Sequence, residues 1–174
     1  MLLVPKSIAS DEPCVRCVMH PYGFKKNKIQ KEALMPPPQK TDVSLLRLRY
    51  TTKEFCVRHG RSIRNGNSTF RCLATLTVQD VETSNELSRT SSEKVFPIMS
   101  NIIYGPMHKG KYVLDADVYV DDPNVELPMH ADLRYNIPFP HPNGGEVATR
   151  MRKYAHTLAN KMQVIHMEEV DGQV

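Results

Sequence analysis

Residues 14–21 read CVRCVMHP, and two structures compete for them. As a turn, Cys14-x-x-Cys17 is half of a zinc site, which Cys56-x-x-His59 in EFCVRHGR (54–61) would complete as a Cys3His set. As a strand, the stretch sets Cys14, Arg16 and Val18 on one face and Val15, Cys17 and Met19 on the other, so the thiols point apart. No glycine directly follows Cys17 to form a tight knuckle, and free cysteine buries readily without metal. The expectation is therefore a core strand with no cofactor, and zinc on Cys14, Cys17, Cys56 and His59 is the alternative it displaces.

Further strands follow outward from this one. VSLLRLRY (43–50), FRCLATLTV (70–78), KYVLDADVYV (111–120) and MHADLRY (129–135) all alternate with period two. In the last, Met129, Ala131, Leu133 and Tyr135 face inward and His130, Asp132 and Arg134 share the opposite side. A helix is expected at about 145–165, striped by Val147, Met151, Tyr154, Leu158, Met162 and Ile165. A second, over about 52–64, starts at a threonine cap and carries Phe55, Cys56, His59 and Ile63 on one side. MPPPQKTD (35–42) reads as a stiff loop and SNELSRTSSEK (84–94) as a polar surface loop. The sum is one α+β domain over residues 1–174: a mainly antiparallel β-sheet with two or three helices packed on one face.

The 174 residues suffice for one hydrophobic core. No apolar run approaches the length of a membrane span, and the opening MLLVPKSI is too short for a signal peptide. Four cysteines with no export signal argue for reduced thiols and a cytoplasmic location, with no membrane partner. A net charge of +4 favours phosphate-bearing partners.

Chemistry concentrates in three places. On the 129–135 strand, His130 offers an acid–base group, Asp132 a carboxylate to orient it and Arg134 an anion holder, with His20 a further histidine. Arg47 and Arg49 lie among apolar neighbours, where a guanidinium needs a partner, and Asp115 and Asp117 could be that partner or hold a divalent cation, while Arg16 and Arg47 are, with Arg134, candidate anion holders. Lys25, Lys26 and Lys28 form a basic turn, and Arg58, Arg61 and Arg64 recur at threes along the 52–64 helix, a pattern suited to tracking a phosphate backbone.

Arg16 followed by His20-Pro21, the lysine-rich turn, the proline-rich loop, the V-S-x-x-R strand (Val43, Ser44, Arg47) and the late His130-Ala131-Asp132 together resemble a group of small uncharacterised bacterial proteins. That resemblance supplies positions and no activity. The leading expectation is a small basic bacterial accessory protein acting with nucleic acid or another protein subunit. Its expected context, which no individual residue carries, is a defence or mobile-element locus. An enzyme acting on a nucleotide or phosphodiester through His130, Asp132 and Arg47 is the second expectation, and a zinc-stabilised interaction module the third.

Overall fold

The computed structural model describes residues 1–91, 96–108, 111–112, 116–138 and 144–169. Six strands form the main sheet: β1 (Cys14–His20), β2 (Asp42–Arg47), β3 (Thr69–Leu76), β4 (Ser100–Tyr104), β5 (His130–Tyr135) and β6 (Gln163–Met167). They lie in the order β6-β3-β1-β2-β5-β4, every neighbouring pair antiparallel. The helices are α1 (Lys53–Ser62), α2 (Val78–Thr90) and α3 (Gly145–Ala159). The chain is thus a single α+β domain. Among the described residues no helix is long and apolar enough to cross a membrane.

The opening stretch is a central strand. Its residues from Cys14 to Val18 are buried apart from a half-buried Arg16, which is how a strand covered on both faces reads. Cys14, with Val43, Leu45, Leu76, Ala131 and Leu133, packs against α2 and α3 through Val81, Met151, Tyr154 and Leu158. Val15 and Cys17, with Leu46 and Leu73, pack on the other side against Cys56 and Val57 of α1. Helices therefore cover both faces, where a one-faced arrangement is expected from sequence.

Three further elements depart from expectation. Residues 84–90 belong to α2 and not to a loop. Thr77 and Asp80 form a reciprocal capping box that starts the helix. Its inner face uses Val81, Ser84 and Asn85, and the polar pair is buried because it is hydrogen-bonded: Ser84 to the Asp80 carbonyl and Asn85 to Ser100. The last helix stops at Asn160, and residues 163–167 turn back as β6 against β3. Of the expected 111–120 strand, Lys111–Tyr112 and Val118–Tyr119 are separate short strands, and residues 113–115 lie outside the described residues.

β1 and β2 pair only through Cys14–Arg47 and Val15–Leu46, then splay. Arg16 bridges the gap, donating from Nε to the Ala33 carbonyl at 2.8 Å and from Nη1 to the Ser44 carbonyl at 3.1 Å. A guanidinium thus replaces ladder bonds that the splay removes.

Candidate nucleic-acid interface

Arg47 is wholly buried and already has its anion. Nε meets Glu12 Oε1 at 2.6 Å and Nη2 meets Oε2 at 2.9 Å, a bidentate pair. Nη2 also donates to the Ser7 carbonyl, Nη1 donates to the Pro5 carbonyl, and the group lies 4.6 Å from the Tyr50 ring centroid and 5.0 Å from that of Tyr104. The expectation that Arg47 holds a substrate anion is corrected by this geometry: the guanidinium clasps the N-terminal segment to β2. Asp117, an expected arginine partner, instead accepts from the Lys6 backbone amide, and Asp115 lies outside the described residues.

His130 and Asp132 share a face of β5 as the alternation requires, but that face is buried, each residue being 2 % exposed. His130 Nδ1 lies 2.7 Å from the Gly105 carbonyl, and Nε2 lies 3.8 Å from Asp132 Oδ1. Burial holds His130 below the ordinary histidine range, against the pull of its Gly105 hydrogen bond. Burial, with Asp42 adding to it, pushes the Asp132 carboxyl up to about 7 against the influence of Arg134 and Lys40. Both groups are thereby biased toward their neutral forms. A cavity of about 30 Å³ reaches His130 between α1 and the β1–β2 splay, far too small for a nucleotide. Arg134 points to Asp42 at 3.7 Å.

His20 does not join this group. Val15, Leu46 and His130 lie level across the sheet, whereas His20 pairs with Thr69 five residues further along β1, which at the strand repeat is about 17 Å away. A shared site of His20, Arg47 and His130 is not what the fold builds. The four metal candidates do not converge either. Cys14 and Cys17 sit in cores on opposite faces of the sheet, and the Cys17 thiol donates to the Cys56 carbonyl at 3.7 Å. Among the described residues no three His, Cys, Asp or Glu side chains are grouped to hold a metal ion. Burial pushes the thiols up, to about 12 for Cys14 and Cys17 and about 11 for Cys56 and Cys72.

Part of the basic set meets at the end of the sheet where His20 lies. Beyond β1, Phe24–Lys25 and Lys28–Ile29 form a hairpin whose turn residues, Lys26 (φ 51°) and Asn27 (φ 56°), are both left-handed, the geometry of a tight two-residue turn. Gln30 Nε2 donates to the Lys25 and Lys28 carbonyls and fixes its base. The turn holds Lys25 and Lys26 over a hollow of about 660 Å³, where neither makes an ion pair among the described residues. His20, Thr69, Phe70 and Arg71 form the facing wall.

Aromatic faces interleave with the cations. The Arg71 guanidinium lies 5.5 Å from the centroid of the Phe24 ring and donates to the Glu168 carbonyl at 2.7 Å. Phe70 stacks on His166, centroids 6.3 Å apart and planes 7° from parallel. Tyr22, just before the hairpin, is 70 % exposed. Two acids, Glu168 and Glu169, reach the hollow. Arg61 neutralises the first through two hydrogen bonds of 3.1 and 3.0 Å, and these, with His166, hold the Glu168 carboxyl below its ordinary range.

α1 can bring Arg61 here because Gly60 lets it close on β3: a Cβ at position 60 would lie 2.6 Å from the Phe70 ring. Arg64 follows, donating to the Arg61 carbonyl, and Arg58 precedes by one turn on the same flank. Of the six cations expected to face nucleic acid, Lys25 and Lys26 line the hollow, Lys28 shares their hairpin, Arg61 reaches its rim through Glu168, Arg58 lies one turn earlier on α1, and Arg64 lies just past the end of that helix. No sequence pattern singles out Arg71, Phe24, Phe70, His166 or Tyr22. Their meeting depends on pairing residue 20 with residue 69 and residue 167 with residue 72, which no local pattern announces.

Fold and site together describe a small α+β protein with an aromatic-lined basic hollow at one end of its sheet. Comparison of the chain with protein-family models, with curated proteins and with solved structures finds no match.

Proposed function

We propose that this chain is a small accessory protein that binds single-stranded nucleic acid, running the strand through the hollow at the end of the sheet and along the basic flank of α1. The observation that carries this is the meeting of Lys25, Lys26 and Arg71 with Phe70 and the edge of a buried Phe24 around one hollow, with Tyr22 exposed just before the hairpin. Cations neutralise phosphates without regard to sequence, and aromatic faces accept any unstacked base, at about 1–3 kcal/mol per base. A duplex buries its base faces and cannot use the rings, so single strands are the preferred ligand. The role needs no catalytic group, in keeping with an Arg47 committed to Glu12 and a buried His130.

The test is fluorescence anisotropy with a labelled single-stranded oligonucleotide and its duplex. Single strand should bind at least about ten-fold more tightly than duplex, and Tyr22→Ala should weaken the single strand by a similar factor while leaving the duplex unchanged. Equal affinity for both, indifferent to Tyr22→Ala, would remove the stacking surface from the account.

A further inference from the structure

α2 and α3 enclose a second groove, of about 340 Å³, on the opposite face of the sheet from α1. Ser84, Ser88 and Ser91 face it from α2, and Arg150, Lys153 and Thr157 from α3. Tyr154, Leu87 and Ile98 supply its apolar surface. Its charge is one-sided. Arg150 and Lys153 stand three residues apart on one helix, so two cations occupy one face with no acid among the described residues that line the groove. The acids of α2 are elsewhere: Asp80 caps its N-terminus with Thr77, and Glu82 and Glu86 line a separate hollow with Arg89, which pairs with Glu86.

Arg150 Nη2 is buried and makes no hydrogen bond among the described residues. Buried charged donors are ordinarily satisfied, so this nitrogen calls for an acceptor. The hydroxyls of Ser88 and Thr157 donate to the carbonyls of Ile98 and Lys153, leaving their lone pairs to accept from a ligand. Tyr154 is held rigid beneath them, its hydroxyl donating to Asn85 Oδ1 at 2.6 Å and lying 2.8 Å from Ser100 Oγ.

We infer that the α2–α3 groove is a binding site for a small organic phosphate of nucleoside monophosphate size, its phosphate held by Arg150 and Lys153 and its ring seated toward Leu87, Ile98 and Tyr154. The volume suits such a ligand. The pairing of a charged phosphate wall with hydroxyl acceptors and an apolar patch matches its three parts. The site shares no residue with the sheet-end hollow, so the two assignments stand or fall separately.

Isothermal titration calorimetry with adenosine monophosphate, and with inorganic phosphate alone, tests it. The nucleotide should bind saturably with a dissociation constant below about 1 mM, and phosphate should compete more weakly. Arg150→Gln and Lys153→Glu should each weaken binding at least about ten-fold, as expected for a lost charge-assisted contact. Lys153 is solvent-exposed, so its variant remains informative if Arg150→Gln fails to fold. Lys25→Glu with Lys26→Glu should leave the nucleotide affinity unchanged. No saturable binding by the wild type, binding indifferent to both α3 variants, or binding lost on reversing the hairpin lysines would each overturn the inference.

Discussion

Glu12→Ala should nearly unfold the protein, and replacing Arg47 as well should rescue most of the loss. Both side chains are at most 1 % exposed, and Arg47 meets Glu12 through two charge-assisted hydrogen bonds. Removing the carboxylate leaves a guanidinium with only two backbone carbonyls and two tyrosine rings in a site closed to water. Breaking one partner of a buried pair costs about 3–5 kcal/mol, a large share of the about 5–15 kcal/mol that holds a domain folded. In Glu12→Ala/Arg47→Met the charge disappears with the carboxylate, and the remaining cost is chiefly the Pro5 and Ser7 carbonyls left without donors, about 1 kcal/mol each. The cycle should therefore show a coupling of about 2 kcal/mol or more between the positions. Urea denaturation followed by far-ultraviolet circular dichroism measures all four corners. If Glu12→Ala costs under about 1 kcal/mol, or if Arg47→Met keeps full stability and abolishes oligonucleotide binding, Arg47 is a ligand-holding residue and the clasp is wrong.

Asp132→Asn should flatten the dependence of stability on pH. The folded carboxyl titrates near 7, above its ordinary 3.8, so the protonated form stabilises the fold. That contribution is fully present below about pH 4 and is lost as pH rises through about 7, at most about 4 kcal/mol in all. Asparagine should gain on the wild type with rising pH in urea titrations from pH 4 to 8.5, and parallel curves would refute this. All four cysteines should resist a thiol-specific reagent at pH 8 in the native state and react together once unfolded, since burial suppresses the thiolate. Rapid labelling of any one in the folded protein would contradict its placement. Gly60→Ala should destabilise in spite of alanine's helix preference of about 1 kcal/mol, because the added methyl overlaps the Phe70 ring at a cost of about 1–3 kcal/mol. A raised melting temperature would show that the ring yields freely.

What the sequence made legible was local. Alternation in CVRCVMH placed Cys14 and Cys17 on opposite faces, and the same period set His130 and Asp132 side by side. It could not say that α1 and the segments around it would bury that polar face, because burial depends on what covers a strand. α2 escaped notice because its buried face uses Ser84 and Asn85, which pack by hydrogen bonding to Asp80 and Ser100 and leave no apolar stripe. β6 is hidden in the sequence because Met162 and Ile165 continue the period of α3 past its Asn160 cap. The lysine turn and the arginines of α1 were visible separately. Their common address depended on antiparallel pairings that span some fifty residues between β1 and β3 and nearly a hundred between β3 and β6.

The most direct measurement is the affinity of a single-stranded oligonucleotide as a function of salt, for the wild type and for Lys25→Glu/Lys26→Glu. With about four phosphates neutralised, the logarithm of the association constant should fall against the logarithm of salt with a slope of about −3. Reversing the two lysines should weaken binding at least about ten-fold at low salt and reduce that slope by about 1 or more. Identical affinity and slope in the two proteins would contradict the account, because the hairpin lysines are the cations it places over the strand.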